Sequence, residues 1–209
     1  MIKYVFWDSD NTLLNTAEHH WRKNFETLKS LNIHLDEKFR NRIYTNNSNQ
    51  NWEWITEELG LSMPREEYLN AIDTWFFTHI DEIEIRPGVI DALDLFKSHK
   101  IPQAVISNGR KKSVMSGQDA KGLTPYFEFI FCKEDYEGRK PDPAPYIAGM
   151  REMEKRLGKE ISPDQCLAIE DDPKGVQSAQ AANMHVIDRP PGDDNPKDFI
   201  EKCKKYLHN

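Results

Sequence analysis

Two acidic residues follow a short apolar run near the start of the chain. Asp8 and Asp10 come directly after residues 2–7. Residues two apart on an extended chain project to the same side, so the two carboxylates can converge on one site. Such a pair can supply a nucleophile with a general acid, or it can bind a cation. An acid pair alone is weak evidence, because two solvated acids in a turn are the commoner arrangement.

Two other polar groups come at comparable points later in the chain. Ser107 and Asn108 follow the apolar run 103–106, and Lys140 stands just ahead of a helical pattern. A hydroxyl or an amide at the end of a strand can donate to an oxyanion, and a lysine can neutralise one. Taken singly, a turn and a solvated surface lysine are the ordinary interpretations.

A second acidic cluster follows the apolar run 166–169. Glu170 and Asp171 begin this cluster, and Asp172 extends it. Three consecutive acids usually form a solvated face or the start of a helix. At the carboxyl end of a strand, opposite another acidic pair, they are better suited to binding a hard divalent cation.

The elements that must position these residues alternate between strands and helices. Short apolar runs typical of buried strands cover residues 4–7, 103–106, 129–131, 166–169 and 185–187. Stripes at helical spacing lie between the later runs, for example Tyr146, Met150, Met153 and Leu157 before Gly158. The alternation predicts an α/β fold, a Rossmann-like doubly wound parallel sheet with helices on both faces. Ligands of such sheets bind beyond the carboxyl ends of the strands.

One long segment breaks the alternation. Residues 16–85 carry only helical patterns, which predicts an all-helical domain inserted into a sheet domain formed by residues 1–15 and 86–209. Residues 46–51 form a polar run that we expect to be a loop.

Composition limits the classes of function. The chain has 209 residues, three scattered cysteines and a formal net charge of -7. An acidic chain is not expected to attract nucleic acid or an anionic membrane. The cysteine spacing favours reduced thiols, and no apolar run approaches the length of a membrane span. We therefore expect a cytoplasmic protein.

Taken together and in order, these motifs resemble those of the haloacid dehalogenase superfamily. The superfamily pattern is Asp-x-Asp-x-Thr, then Ser or Thr, then Lys, then paired acids, and the matching residues are Asp8 to Thr12, Ser107, Lys140, and Glu170 with Asp171. The likeness covers almost the entire chain and is closest to the helical-cap phosphatase and β-phosphoglucomutase-like branch. The chain departs from the common pattern at Asn11, where Gly is usual. Asn is the next best residue for a left-handed backbone, so the turn should survive.

The resemblance implies a Mg²⁺-dependent phosphatase, a phosphoric monoester hydrolase. It assigns the metal to Asp8, the backbone carbonyl of Asp10, Glu170 and Asp171. Asp8 would be the nucleophile that forms an aspartyl-phosphate, and Asp10 the general acid and base. The phosphoryl oxygens would be stabilised by Lys140, Ser107 and, more weakly, Asn108.

Two alternatives remain open from the sequence. A sugar phosphomutase of the β-phosphoglucomutase type is favoured by the stretch Thr16 to His20, but the Gly-x-Ser-Arg motif of that enzyme is missing from the insertion. A non-catalytic phosphate-binding module or a receiver-like signalling domain also uses clustered acids with a lysine. A receiver would be shorter and would lack the helical insertion.

The substrate is expected to be a small phosphorylated metabolite that the helical insertion selects by closing over the leaving-group end of the site. The candidate contacts in the insertion are Thr16, His20, Asn47, Asn49 and Gln50, since short amides and hydroxyls suit a hydroxyl-bearing substrate. The sequence indicates neither the particular metabolite nor the oligomeric state.

Overall fold

The computed structural model describes residues 1–207, and these residues form two compact units. The sheet unit contains residues 1–14 together with those from residue 84 onward, and the helical unit contains residues 15–83. No helix of the described chain is long and apolar enough to cross a membrane.

A parallel sheet of five strands forms the centre of the sheet unit. The strands are β1 (Tyr4–Trp7), β2 (Gln103–Ile106), β3 (Ile130–Phe131), β4 (Cys166–Glu170) and β5 (His185–Asp188). Their order across the sheet is β3-β2-β1-β4-β5. The predicted parallel α/β sheet is confirmed. The strand predicted for residues 129–131 is shorter than expected and begins at Ile130.

Nine α-helices occur within residues 1–207. The helical unit holds α1 (Thr16–Ser30), α2 (Arg40–Thr45), α3 (Ser48–Leu59) and α4 (Arg65–Thr78). The sheet unit holds α5 (Val89–Ser98), α6 (Lys111–Ala120), α7 (Ala144–Leu157), α8 (Pro173–Ala181) and α9 (Pro196–Lys205). The sequence patterns did not predict α2, α6 or α9.

The central strand β1 is buried on both faces because helices pack against each side. On one face Trp7 makes edge-to-face contacts with Phe96 of α5 and Phe199 of α9, each at a ring-centroid distance of 6.2 Å. On the other face Phe6 packs in a cluster with Tyr146 of α7 and Ala179 of α8. This arrangement explains why β1 reads as a continuous apolar run rather than an alternating one.

The helical unit has an apolar core of its own. Trp21 and Leu28 of α1 pack with Ile55 of α3 and Ile72 of α4. The unit therefore buries the stripes that predicted its helices, as expected for amphipathic helices packed against one another.

The polar run 46–51 is not the predicted loop, because helix α3 begins inside it. Asn47 caps α3: its side-chain oxygen accepts from the backbone N–H groups of Asn49 and Gln50, each at 3.0 Å. The Gln50 side chain in turn accepts from the backbone N–H of Asn47 at 3.0 Å. This reciprocal capping box satisfies N–H groups that the first helical turn would otherwise leave unpaired. The amides of the run therefore begin a helix.

We expect Asn47→Ala to destabilise the helical unit by about 1 kcal/mol, because the capping oxygen is lost. Thermal and urea unfolding should show the decrease. Asn49→Ala is the matched control, since the exposed Asn49 side chain does not cap the helix. Equal stability of Asn47→Ala and Asn49→Ala would contradict the capping role.

Candidate active site

The turn after β1 places Asp8 at the carboxyl end of the central strand. The backbone N–H of Asp8 donates to the carbonyl of Ile169 at 3.0 Å, which extends the β1–β4 ladder by one residue. Ser9 then accepts from the backbone N–H of Leu13 at 3.0 Å and closes the turn. Asn11 adopts a left-handed backbone with φ 56°, which confirms the prediction that Asn can take the conformation for which Gly is usual here.

The strand register brings Asp8 beside Glu170. Trp7 of β1 pairs with Ile169 of β4, so the residues that follow these two lie at the same edge of the sheet. Their carboxylates are bridged by Lys140, whose Nζ lies 2.7 Å from Asp8 Oδ1 and 2.6 Å from Glu170 Oε1. The three side chains come from points 30 to 162 residues apart in the sequence. The adjacent strands β1 and β4 bring Asp8 and Glu170 together, and Lys140 reaches them from the segment between β3 and α7.

All three N–H groups of the Lys140 ammonium have an acceptor. Besides the two carboxylates, Nζ donates to the carbonyl of Ile106 at 2.7 Å. The residue is only 4% exposed, so the interpretation of Lys140 as a solvated surface lysine is wrong. A buried cation with three short acceptors of this kind is held in a fixed position.

Asp171 completes a cluster of three acids. One carboxylate oxygen from each of Asp8, Glu170 and Asp171 lies within 4.8 Å of the others, and all three residues are buried. Thr12 donates its hydroxyl to Asp171 Oδ1 at 3.3 Å. The last residue of the Asp-x-Asp-x-Thr motif therefore orients an acid of the fourth motif.

Burial and mutual repulsion disfavour the charged forms of the three clustered acids. Burial raises the pKa of Asp8 well above its usual range despite the lowering effect of Lys140, and burial likewise raises the pKa of Glu170. Burial and the neighbouring Glu170 raise the pKa of Asp171 to about 7. Burial opposes the charged form of Lys140, but the adjacent carboxylates outweigh it and raise the pKa of the lysine. The buried cluster contains three carboxyl groups and one ammonium, which contacts two of them.

This donor set fits a magnesium ion. Mg²⁺ prefers hard oxygen ligands and is typically held by one or two carboxylates together with waters and substrate phosphate. Asp8, Glu170 and Asp171 offer such oxygens, although Lys140 contacts one oxygen of Asp8 and one of Glu170. A divalent cation would also supply the positive charge that the cluster lacks.

The carboxylate of Asp10 is not one of the three clustered acids, but its charge is near enough to raise the pKa of Asp8 and of Asp171. Its carboxylate oxygen Oδ2 is so near Gly109 that a Cβ atom on that glycine would come within 3.1 Å of it. The same Cβ would lie 3.1 Å from Ser107 Oγ. The structure thus brings the carboxylate of Asp10 and the hydroxyl of Ser107 close to the same glycine. A metal contact through the backbone carbonyl of Asp10 stays a prediction.

Asn108 has a structural contact that the sequence did not predict. Its Oδ1 accepts from the backbone N–H of Lys140 at 3.1 Å, and its Nδ2 donates to the carbonyl of Lys140 at 3.3 Å. Both ends of the amide therefore hold the backbone of Lys140. A contact between Asn108 and phosphate stays a prediction.

Two further residues fix Glu170 and were missed in the sequence. Tyr146 of α7 donates its hydroxyl to Glu170 Oε1. A Cβ on Gly175 of α8 would come within 2.0 Å of Glu170 Oε2, so only glycine leaves room for this carboxylate. The isolated Gly inside a helical pattern was a usable signal of close approach. Nothing in the sequence indicated the role of the Tyr146 hydroxyl, because a tyrosine ring also fits the apolar stripe of α7.

The residues predicted to contact substrate from the insertion lie in the helical unit. Thr16 is the buried first residue of α1, and the ring of His20 stacks on Phe76 with centroids 5.4 Å apart. Asn47 and Gln50 cap α3, and Asn49 is exposed. Their role in substrate selection stays a prediction.

Comparisons with known proteins agree with this arrangement. A profile of the family described as "Haloacid dehalogenase-like hydrolase" matches residues 5–188. YhcW of Bacillus subtilis, provisionally named a phosphatase, is 27% identical over 188 residues, which cover 90% of this chain and 83% of YhcW. Hexitol phosphatase A of Escherichia coli is 29% identical over 130 residues, which cover 62% of this chain and 54% of that enzyme.

A solved structure shares the fold. CbbY from Rhodobacter sphaeroides in complex with phosphate superposes with a TM-score of 0.76 at 23% identity, covering 93% of this chain and 89% of CbbY. At this identity the likeness concerns the fold.

Proposed function

The chain belongs to the haloacid dehalogenase-like hydrolase family, and from this premise we propose that it is a Mg²⁺-dependent phosphatase acting on a small phosphorylated metabolite through an aspartyl-phosphate on Asp8. The observation that carries the proposal is the buried contact of Lys140 with Asp8 and Glu170 beside Asp171. Phosphatases among the chain's relatives support the substrate class, for example hexitol phosphatase A.

Asp8 is the nucleophile in this proposal. Its carboxylate attacks phosphorus, a bond forms between the carboxylate oxygen and phosphorus, and the ester bond to the leaving alcohol breaks. Only the ionised carboxylate can attack. Lys140 opposes the effect of burial and lowers the pKa of Asp8, which favours the ionised form, and it fixes one of the carboxylate oxygens through the 2.7 Å contact.

Asp10 is the general acid and base. It gives its proton to the departing alkoxide in the first step. In the second step the same carboxylate takes a proton from the water that attacks the phosphorus of the aspartyl-phosphate, which releases inorganic phosphate and restores Asp8. The carboxylate of Asp10 stands outside the acidic cluster and is partly exposed, so water can reach it.

A bound metal ion would be held by Asp8, the backbone carbonyl of Asp10, Glu170 and Asp171, the ligands that the family resemblance implies. When bound, Mg²⁺ neutralises phosphoryl and carboxylate charge, so that an anionic nucleophile can approach an anionic ester. Ser107 adds a donor for the phosphoryl oxygens, and the ammonium of Lys140 adds positive charge beside them.

Lys140→Ala should lower kcat and raise KM, because one residue serves both the nucleophile and the phosphoryl group. The loss should reach about 10²-fold or more in kcat/KM, as for other charged groups that stabilise a transition state. Removing the ammonium also raises the pKa of Asp8 further, so the acidic limb of the pH profile of kcat/KM should move to higher pH. Lys155→Ala is the control, since this lysine is 81% exposed on α7 and forms only a loose pair with Glu152. Unchanged kinetic constants in Lys140→Ala would remove the lysine from the mechanism.

A phosphate-release screen tests the function itself. Purified protein is offered phosphorylated sugars, polyols, hydroxy acids and nucleoside monophosphates, each with Mg²⁺ and with EDTA. We expect release of inorganic phosphate from at least one of these classes, and only with Mg²⁺. Conversion of a sugar phosphate to an isomer without phosphate release would instead indicate the mutase, and no reaction in any arm would count against an enzyme.

A further inference from the structure

Arg86 is a buried arginine that contacts the turn carrying Asp10. The residue is 2% exposed. Its Nη1 donates to the carbonyl of Asn11 at 2.6 Å and to that of Arg189 at 2.7 Å, and Nη2 donates to the carbonyl of Pro190 at 2.8 Å. Nε pairs with Asp194 Oδ1 at 2.9 Å. One planar group thus joins the turn after β1 to the segment after β5.

The backbone of Ile85 and Arg86 binds the later part of the same turn, at Leu13 and Leu14. The N–H of Arg86 donates to the carbonyl of Leu13 at 2.9 Å, and Ile85 forms an antiparallel bridge with Leu14. Within the turn, the N–H of Asn11 donates to the carbonyl of Leu14 at 2.8 Å. The turn is therefore held from both ends by two consecutive residues.

The contact with Asn11 is the one that bears on chemistry. Asn11 follows Asp10 directly and has the left-handed φ of 56°, a conformation that costs free energy in residues other than glycine. A hydrogen bond from a charged guanidinium to its carbonyl stabilises that conformation, and such bonds are about twice as strong as neutral ones. Because Asn11 is bonded to Asp10, a change in the conformation of Asn11 would move the backbone of Asp10.

We propose that Arg86 is a positioning residue for Asp10, acting through the Asn11 carbonyl; the inference rests on the proposed phosphatase function. Arg86 touches neither the phosphoryl group nor the nucleophile in this role. It fixes the turn so that the Asp10 carboxylate meets the leaving oxygen. A displacement of about 1 Å at a catalytic group can cost on the order of 10²-fold in rate.

A positioning role for Asp10 predicts a dependence on the leaving group. An alkyl phosphate needs its leaving oxygen protonated by Asp10, whereas the p-nitrophenolate ion leaves readily without a proton. Loss of the correct position should therefore damage the first step for alkyl esters far more than for p-nitrophenyl phosphate. The value of kcat/KM reports that step, because it covers events only up to the first irreversible bond cleavage.

The test measures kcat/KM of Arg86→Lys for the best alkyl phosphate of the screen and for p-nitrophenyl phosphate. Lysine keeps the charge but cannot make the forked contact. The alkyl phosphate should lose about 10²-fold and p-nitrophenyl phosphate less than about tenfold. Arg189→Lys is the matched control: Arg189 is also buried in this region, and its side chain donates to the carbonyls of Asp193 and Pro87 but not to that of Asn11. It shares Asp194 with Arg86 only through a loose pair at 3.9 Å. Its ratio between the two substrates should match that of the wild type.

The outcomes separate the two proposals. If the wild type is active and Arg86→Lys shows the same ratio of kcat/KM between the two esters, the positioning role is overturned and the phosphatase function stands. A wild type that hydrolyses neither ester would overturn the phosphatase itself, and the positioning role with it. Should Arg86→Lys fail to fold, Asn11→Val strains the same peptide from inside the turn. It should show the same selective loss for the alkyl ester, and an unchanged ratio there would equally overturn the role.

Discussion

Asp8→Asn should abolish the proposed phosphatase activity, with a loss in kcat on the order of 10⁴-fold or more. The substitution keeps the shape of the side chain but removes the anionic oxygen that attacks phosphorus. It also weakens the metal site, because an amide oxygen replaces one of the three clustered carboxylates. Two functions are lost at one position, so the effect should be the largest in the chain.

The fold should survive this substitution. Lys140 retains Glu170 and the carbonyl of Ile106 as partners. Removal of one of three adjacent acids also lessens their mutual repulsion. Phosphate release should be measured on fresh protein and together with Asp8→Ala, since slow deamidation of Asn would restore the wild-type residue. Substantial turnover by a folded Asp8→Ala protein would rule out Asp8 as the nucleophile.

Asp10→Asn should reduce kcat about 10²–10⁴-fold, the usual contribution of a general acid or base. Asn cannot give a proton to the leaving alkoxide or take one from water, so both steps slow. The first step should slow less for p-nitrophenyl phosphate than for alkyl phosphates, because the nitrophenolate needs no proton.

The control for Asp10→Asn is Asp172→Asn. Asp172 is an exposed acid next to the cluster, and it caps α8 by accepting from the backbone N–H of Lys174. Asn caps a helix as well as Asp does, so this variant removes a nearby charge without loss of the cap. Equal losses in both variants would mean that overall charge, and not acid–base chemistry, explains the effect of Asp10.

The framework of the site could be predicted because its parts follow buried parallel strands. Continuous apolar runs marked β1, β2, β4 and β5, and the polar residues after them had to lie at one edge. Asp8, Lys140 and Glu170 were recognised from that order together with the family resemblance. The structure adds the contacts of Lys140 with Glu170 at 2.6 Å and with Asp8 at 2.7 Å, which bring the three residues into one site.

The contacts that support the site could not be predicted, because they join residues far apart in sequence through ordinary side chains. The hydroxyl of Tyr146, the amide of Asn108 and the guanidinium of Arg86 carry no pattern that distinguishes them from residues of a helix, a turn and a linker. The wrong assignment of residues 46–51 to a loop has a local cause. A capping box and a polar turn use the same residue types, and only the Gln at the third helical position distinguished them.

The most direct test of the central claim is to trap the covalent intermediate. Asp10→Asn should accumulate it from p-nitrophenyl phosphate, because the nitrophenolate leaves without a proton while the second step lacks its base. The protein is mixed with Mg²⁺ and this ester, quenched in acid and reduced with borohydride, which converts an aspartyl-phosphate to homoserine. Peptide mapping by mass spectrometry should find homoserine at Asp8 and at no other acid, and none without substrate. Substrate-dependent reduction at another residue, or phosphate release by wild-type protein with unmodified Asp8 throughout, would contradict the account.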